Sequence, residues 1–268
     1  MTRLTATADG WSQDDDAATI DLNADVGEGF GAWRMGDDDA LLDIVSSANV
    51  ACGFHAGDPP TMRRVTQAAA ARGVAVGAHV AYRDLAGFGR RRITMDPEDL
   101  ADEITYQIGA LDAFCRAAGD RLRHIKPHGA LYHACAQDSL QARAVVDAVA
   151  GYDSGLAVFG QPGSSLLALA HRAGLRTVPE GFADRQYASD GTLLPRDHAA
   201  ALLTDPSAVV AQAVQIVRSH TVRAADGTNV AAPAETLCIH GDTPGAVELA
   251  RRVRVGLERR DVLIATPK

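Results

Sequence analysis

Seven short apolar stretches of this chain read as strands, and at least five of them run straight into polar or ionisable clusters: L-N-A-D-V-G-E-G, A-C-G-F-H-A-G-D, V-G-A-H, K-P-H-G and I-H-G-D. The strands fall at residues 19–25, 47–52, 74–79, 122–126, 156–159, 175–178 and 236–239, with helical spacing between most of them. Strands that alternate with helices pair in parallel through right-handed crossovers. In a closed parallel sheet the C-terminal strand ends share one mouth, so clusters far apart in sequence face a common pocket. The order therefore predicts an α/β fold: a (β/α) barrel of seven or eight parallel strands, closed or incomplete. An open doubly wound sheet is the other topology that periodicity allows. In either case the pattern is that of an enzyme.

Helix starts are marked by a side-chain acceptor followed by proline, which lacks an N–H that the first turn leaves unpaired anyway. Asp58 before Pro59, Asp96 before Pro97, Asp205 before Pro206 and Thr243 before Pro244 have this form. After Asp96, the residues Leu100, Ile104, Ile108, Leu111 and Cys115 recur at three-to-four spacing and make one apolar face.

The chain has 268 residues, 47% of them hydrophobic, and shows no internal repeat, so a single barrel over 19–268 is expected. Residues 1–18 carry Asp14, Asp15 and Asp16 among Ala and Thr, lack the features of a signal peptide, and read as a mobile polar extension. A formal net charge of -8 argues against a nucleic-acid partner or a polybasic membrane anchor. No apolar run approaches the roughly 20 residues of a membrane helix. Four cysteines without a C-x-x-C pair fit a reducing compartment, and the cytoplasm is the expected location.

The strand-end residues supply the candidate chemistry. Asn23, Asp25 and Glu28 precede and enter a glycine-rich turn, where carboxylates serve as acid, base or metal ligand. His55 lies between two nearby glycines at the entry to a helix, and His79 ends the third strand. Lys126 interrupts an apolar strand, where an ammonium must find a partner or a ligand, and strand alternation sets it on the face of His124. His128 follows just beyond the strand end. Asp184 and Arg185 sit side by side after the sixth strand, a setting that suits a loop-holding salt bridge as well as a site. His240 and Asp242 close the seventh strand. The expected catalytic set is Asp25, His55, Lys126, His128 and His240, with Asn23, Glu28, His79, Asp184, Arg185 and Asp242 binding substrate. Asp25, His55, His79 and His128 also form an Asp/His metal set for the alternative reading, a stand-alone hydrolase or deacetylase. Phosphate-loop, dinucleotide, G-x-S-x-G and H-E-x-x-H motifs are all missing from the sequence.

Taken in order, L-N-A-D-V-G-E-G, S-S-A-N-V-A-C-G-F-H-A-G-D, G-A-H, Y-Q-I-G-A-L, R-H-I-K-P-H-G-A-L-Y, F-A-D-R-x-Y, D-G-x-L-x-P-R and L-C-I-H-G-D resemble the LamB/YcsF family, whose members are known as the A subunit of 5-oxoprolinase. The resemblance runs from about 20 to 262. It implies a barrel of the glycoside hydrolase/deacetylase type and ATP-dependent opening of 5-oxoproline to L-glutamate. It further implies partner subunits B and C, with ATP and Mg bound wholly or partly by those partners, since this chain has no phosphate loop. After Gly77-Ala78-His79 the family often has Pro-Ser-Tyr-Pro-Asp, whereas this chain has Val80-Ala81-Tyr82-Arg83-Asp84. A non-catalytic ligand-binding subunit is the remaining alternative.

Overall fold

The structure, a computed structural model, describes residues 18–196, 198–239 and 245–267. In chain order the elements are β1 (Thr19–Val26), α1 (Asp38–Leu42), β2 (Ser47–Ala51), α2 (Pro59–Arg72), β3 (Ala75–Val80), α3 (Pro97–Ala117), β4 (Leu122–Pro127), α4 (Gly129–Gln137) and α5 (Ser139–Tyr152). There follow β5 (Ala157–Gly160), α6 (Ser165–Arg172), β6 (Thr177–Phe182), α7 (Pro206–Ser219), β7 (Thr221–Arg223), β8 (Asn229–Ala231), β9 (Thr236–Ile239), α8 (Ala246–Glu258) and β10 (Leu263–Ile264).

Among the described residues seven parallel strands close into a barrel in the order β1-β2-β3-β4-β5-β6-β9, and the β1–β9 ladder from Asp21↔Thr236 to Ala24↔Ile239 makes the seam. That closure rules out the open sheet. The short β10 joins the first two residues of β1 below the seam. β7 and β8 form an antiparallel hairpin outside the barrel, an insertion without a sequence forecast.

The helix starts follow the capping chemistry. Asp58, Asp96 and Asp205 each accept from a backbone N–H of the first turn, with proline at the start of the helix. The expected start at Thr243 lies outside the described residues. Two expectations shift. A helix at 139–152 stands between β4 and β5, N-capped by Asp138. The sixth strand runs from Thr177 to Phe182 rather than over 175–178, because the Leu175 N–H is taken by the Ala170 carbonyl in the turn that ends α6.

Period-two alternation separates two environments. Ile20, Leu22, Ala24 and Val26 of β1, with Val76, Ala78, Val80 and Ile125, join one buried apolar cluster with Val65 of α2, Ile104, Ile108 and Leu111 of α3, and Val145 and Val149 of α5. The opposite faces point inward and are polar: Asp21, Asn23 and Asp25 of β1, Asn49 of β2, His124 and Lys126 of β4, Glu180 of β6 and Thr236 of β9 are all buried and bonded across the axis. Barrels of this type usually fill the interior with branched apolar side chains. Here the apolar core is the ring between strands and helices, and the axis is a hydrogen-bonded column.

Candidate active site

The column opens at the C-terminal strand ends into a cleft lined by residues that include Asp25, Glu28, His79, Lys126, His128 and Arg185. The extended strands fix these side chains. The loops after them are tied down by close backbone approaches that only glycine permits. A Cβ on Gly57 would lie 2.4 Å from the Ala51 carbonyl oxygen, and one on Gly89 would lie 2.7 Å from the His128 ring.

Lys126 sits at the centre. Its Nζ lies 3.0 Å from Asp25 Oδ1 and 2.8 Å from Glu180 Oε1, and donates to Asn23 Oδ1 at 3.3 Å. Burial alone would push this ammonium toward neutrality, but the charges of Asp25 and Glu180 outweigh it and hold the pKa well above the usual lysine value. Asn49 Nδ2 donates to both Asn23 Oδ1 and Asp25 Oδ1, at 2.7 and 2.9 Å. Asp25 therefore presents Oδ1 to the column and turns Oδ2 toward His79 Nε2, 3.2 Å away.

Three imidazoles stand beside this group, two of them on the cleft wall. His79 Nδ1 is 3.0 Å from the Lys126 carbonyl, and His128 Nε2 is 2.8 Å from the Phe88 carbonyl. A carbonyl only accepts, so each of these nitrogens carries the proton and the other nitrogen of each ring faces the cleft. His128 Nδ1 and His79 Nε2 stand 3.0 Å apart. The His55 ring is stacked on that of His128, with centroids 3.9 Å apart. Burial drives the pKa values of His55 and His128 well below the ordinary histidine range. Glu28, His55, His79 and His128 bring ligand atoms within 4.8 Å of one another, a set able to hold a metal ion. Its carboxylate is Glu28, where the sequence reading put Asp25.

The other candidates separate by position. His55 is fully buried behind His128 and does not line the cleft, and Asn23 lies one layer deeper, donating to Glu180 and Thr236. Arg185 reaches the cleft but also anchors the following loop, donating to the carbonyls of Ala201 and Leu194. Asp184 is buried beside it, and its carbonyl accepts from the Leu203 N–H. His240 and Asp242 lie outside the described residues. The basic run 90–92 spreads out: Arg90 covers the Phe88 ring, Arg91 pairs with Asp84 and Arg92 with Asp138. Glu180 escaped the sequence reading, although the alternation Val178, Glu180, Phe182 carries the signal. Asn49 escaped it too, set in an otherwise apolar strand.

One layer below, the His124 ring donates to Asn49 Oδ1 at 2.8 Å and stacks on Phe159. It fills space left by Gly77, where a Cβ would lie 2.0 Å from His124 Nε2. Burial first, and then the charge of Lys126, push its pKa down to about 3. The unfolded chain, with histidine near the usual value of about 6.5, binds the extra proton, so His124 supports the fold at neutral pH and loses that support as pH falls. The slope is about 1.4 kcal/mol per pH unit below about pH 6.5. Urea unfolding should show wild type losing about 2 kcal/mol more than His124→Asn between pH ~6.5 and ~5. Asp21, pushed up to about 6 by burial, acts in the opposite sense in both proteins and cancels in the comparison. Equal losses in the two proteins would rule out a neutral buried His124.

Fold and cleft together define a closed (β/α)-barrel protein whose mouth concentrates carboxylates, imidazoles and an ammonium ion, the groups of acid–base or metal-assisted chemistry. Comparison with known proteins narrows the class. The chain belongs to the LamB/YcsF family, whose profile matches residues 20–268. It is 58% identical over 246 residues to the 5-oxoprolinase A subunit of Streptomyces avermitilis, covering 92% of this chain and 98% of that protein. With the protein of the same name from Nocardia farcinica it shares 55% identity over 245 residues, 91% and 98% of the two chains. Among solved structures, the lactam utilization protein from Thermus thermophilus superposes with a TM-score of 0.88 at 45% identity, covering 92% of this chain and 99% of that one. Among the described residues no helix is long and apolar enough to cross a membrane.

Proposed function

We propose that this chain is the lactam-binding subunit of an ATP-dependent 5-oxoprolinase, acting with subunits B and C to convert 5-oxo-L-proline to L-glutamate. The observation that carries the reading is the buried Asp25–Lys126–Glu180 group with Asp25 Oδ2 and two imidazoles turned into the cleft. The names borne by relatives more than half identical support it.

The five-membered lactam resists hydrolysis because its amide is resonance-stabilised. Transfer of a phosphoryl group from ATP to the amide oxygen makes the ring carbon electrophilic; water adds there, the C–N bond breaks to leave an acyl phosphate, and a second water releases the phosphate to give the free carboxylate. The sequence has no phosphate loop, so the ATP site is assigned to the partner subunits or to the interface with them. In this chain Asp25 Oδ2 takes the proton from the attacking water and returns it to the departing nitrogen, Lys126 and Arg185 balance the negative charge of the substrate carboxylate or phosphate, and the unprotonated His128 Nδ1 orients the water. His55 orients His128 by stacking on it.

The test is reconstitution with subunits B and C, each omitted in turn, while glutamate release is followed. Formation of glutamate only with all components and ATP is the expected result. Full turnover by the partners without this chain would overturn the reading. A second reading, a metal-dependent amide hydrolase that works alone, is favoured by the Glu28, His55, His79 and His128 group. Ring opening by this chain with metal and no ATP would select it.

A further inference from the structure

His55 is the least explained group in the molecule. Its ring is fully buried, and among the described residues neither nitrogen has a hydrogen-bond partner. Buried polar atoms are almost always satisfied, and one left bare is costly. Its Nε2 is 3.6 Å from Glu28 Oε1, too far for a hydrogen bond, and His128 Nδ1 lies at the same distance from the same oxygen. The backbone carbonyls of Lys126 and Phe88 fix the other rings so that His79 Nε2 and His128 Nδ1 turn their lone pairs toward this point. Lone pairs converging without hydrogens between them call for a cation. A proton on His79 Nε2 would bridge it to His128, but it would leave both nitrogens of His55 bare.

We propose that Glu28, His55, His79 and His128 form a site for one divalent transition-metal ion of the zinc class. In a tetrahedral site with metal–nitrogen bonds near 2.1 Å, neighbouring ligand atoms lie about 3.4 Å apart. Three of the spacings, 3.0 Å between His79 and His128 and 3.6 Å from Glu28 to His55 and to His128, bracket that value, and all four ligand atoms lie within 4.8 Å of one another, so modest side-chain shifts close the group around an ion. Three imidazoles and one carboxylate select a borderline ion, whereas Mg²⁺ and Ca²⁺ prefer oxygen alone. The carbonyls that hold His79 and His128 are the outer partners that metal-bound imidazoles ordinarily have. The inference does not depend on the lactam reading, because its test uses no substrate.

The full chain, stripped with a chelator, is titrated calorimetrically with Zn²⁺ alone and in excess Mg²⁺, and the bound metal is measured after dialysis. One Zn²⁺ per chain, bound equally well in Mg²⁺, is expected. Glu28→Gln and His55→Ala should each weaken binding at least as much as the ~10–100-fold that loss of an outer partner costs. His171→Ala, on an exposed stretch of α6, should not change it. If His55→Ala does not fold, as judged by its melting curve, the near-isosteric Glu28→Gln carries the test. Substoichiometric zinc, displacement by Mg²⁺, or wild-type affinity in the folded variants would each overturn the proposal.

Discussion

Lys126→Met should lower the unfolding free energy by about 3–5 kcal/mol, the usual consequence of removing one member of a buried ion group and leaving its partners charged. Asp25 Oδ1 and Glu180 Oε1 approach the same Nζ at 3.0 and 2.8 Å, and both carboxylates are buried. Methionine fills most of the volume, so a cavity does not account for the loss. Urea unfolding at neutral pH measures the effect. The double variant Lys126→Met/Glu180→Gln should recover part of it, because the damage comes from unpaired carboxylates rather than a missing contact. An unchanged midpoint in the single variant would mean that the triad does not hold the barrel together.

Asp25→Asn should separate chemistry from stability. Asparagine keeps the shape and can still accept from Lys126 and Asn49 through Oδ1, while Glu180 continues to neutralise the ammonium. The fold should therefore survive with a small change in melting temperature. What disappears is the basic Oδ2 beside His79, and loss of a positioned general base lowers rate by about 10²–10⁴-fold. In the reconstituted system kcat should fall by that factor with little change in KM. Undiminished glutamate release would remove Asp25 from the proposed mechanism.

Much of this arrangement is legible in the chain because barrel geometry turns sequence position into spatial position. Lys126 and Asp25 lie on the polar faces of alternating strands near their C-terminal ends, and parallel closure alone brings those ends together. The Asp-Pro helix starts are equally readable, since an acceptor followed by a residue lacking N–H has few other uses. Glu180 was hidden by its neighbours: Pro179 and Gly181 both depress strand propensity, which obscured the β6 alternation. The histidine group was readable only in part. His55, His79 and His128 could be nominated from their strand ends, but the choice of Glu28 over Asp25 depends on the course of a glycine turn, and spacing does not encode it. Barrel closure was likewise undecided by periodicity, because an open sheet has the same alternation.

The polar axis has one further consequence. In most enzymes the reacting residues are a burden on the fold, and replacing them with ordinary side chains makes the protein sturdier at the expense of activity. Here Asp25 and Lys126, the residues proposed to act on the substrate, belong to the same bonded column that joins β1, β2, β4, β6 and β9. A two-residue slip of β1 would keep its apolar face outward yet set Asp25 against the wrong partners, so the column keeps the strands in register. A screen for thermal tolerance alone, with no assay for turnover, should therefore retain Lys126. The residue would persist in a lineage that had ceased to use the reaction, and its presence in a relative is evidence of the barrel before it is evidence of activity.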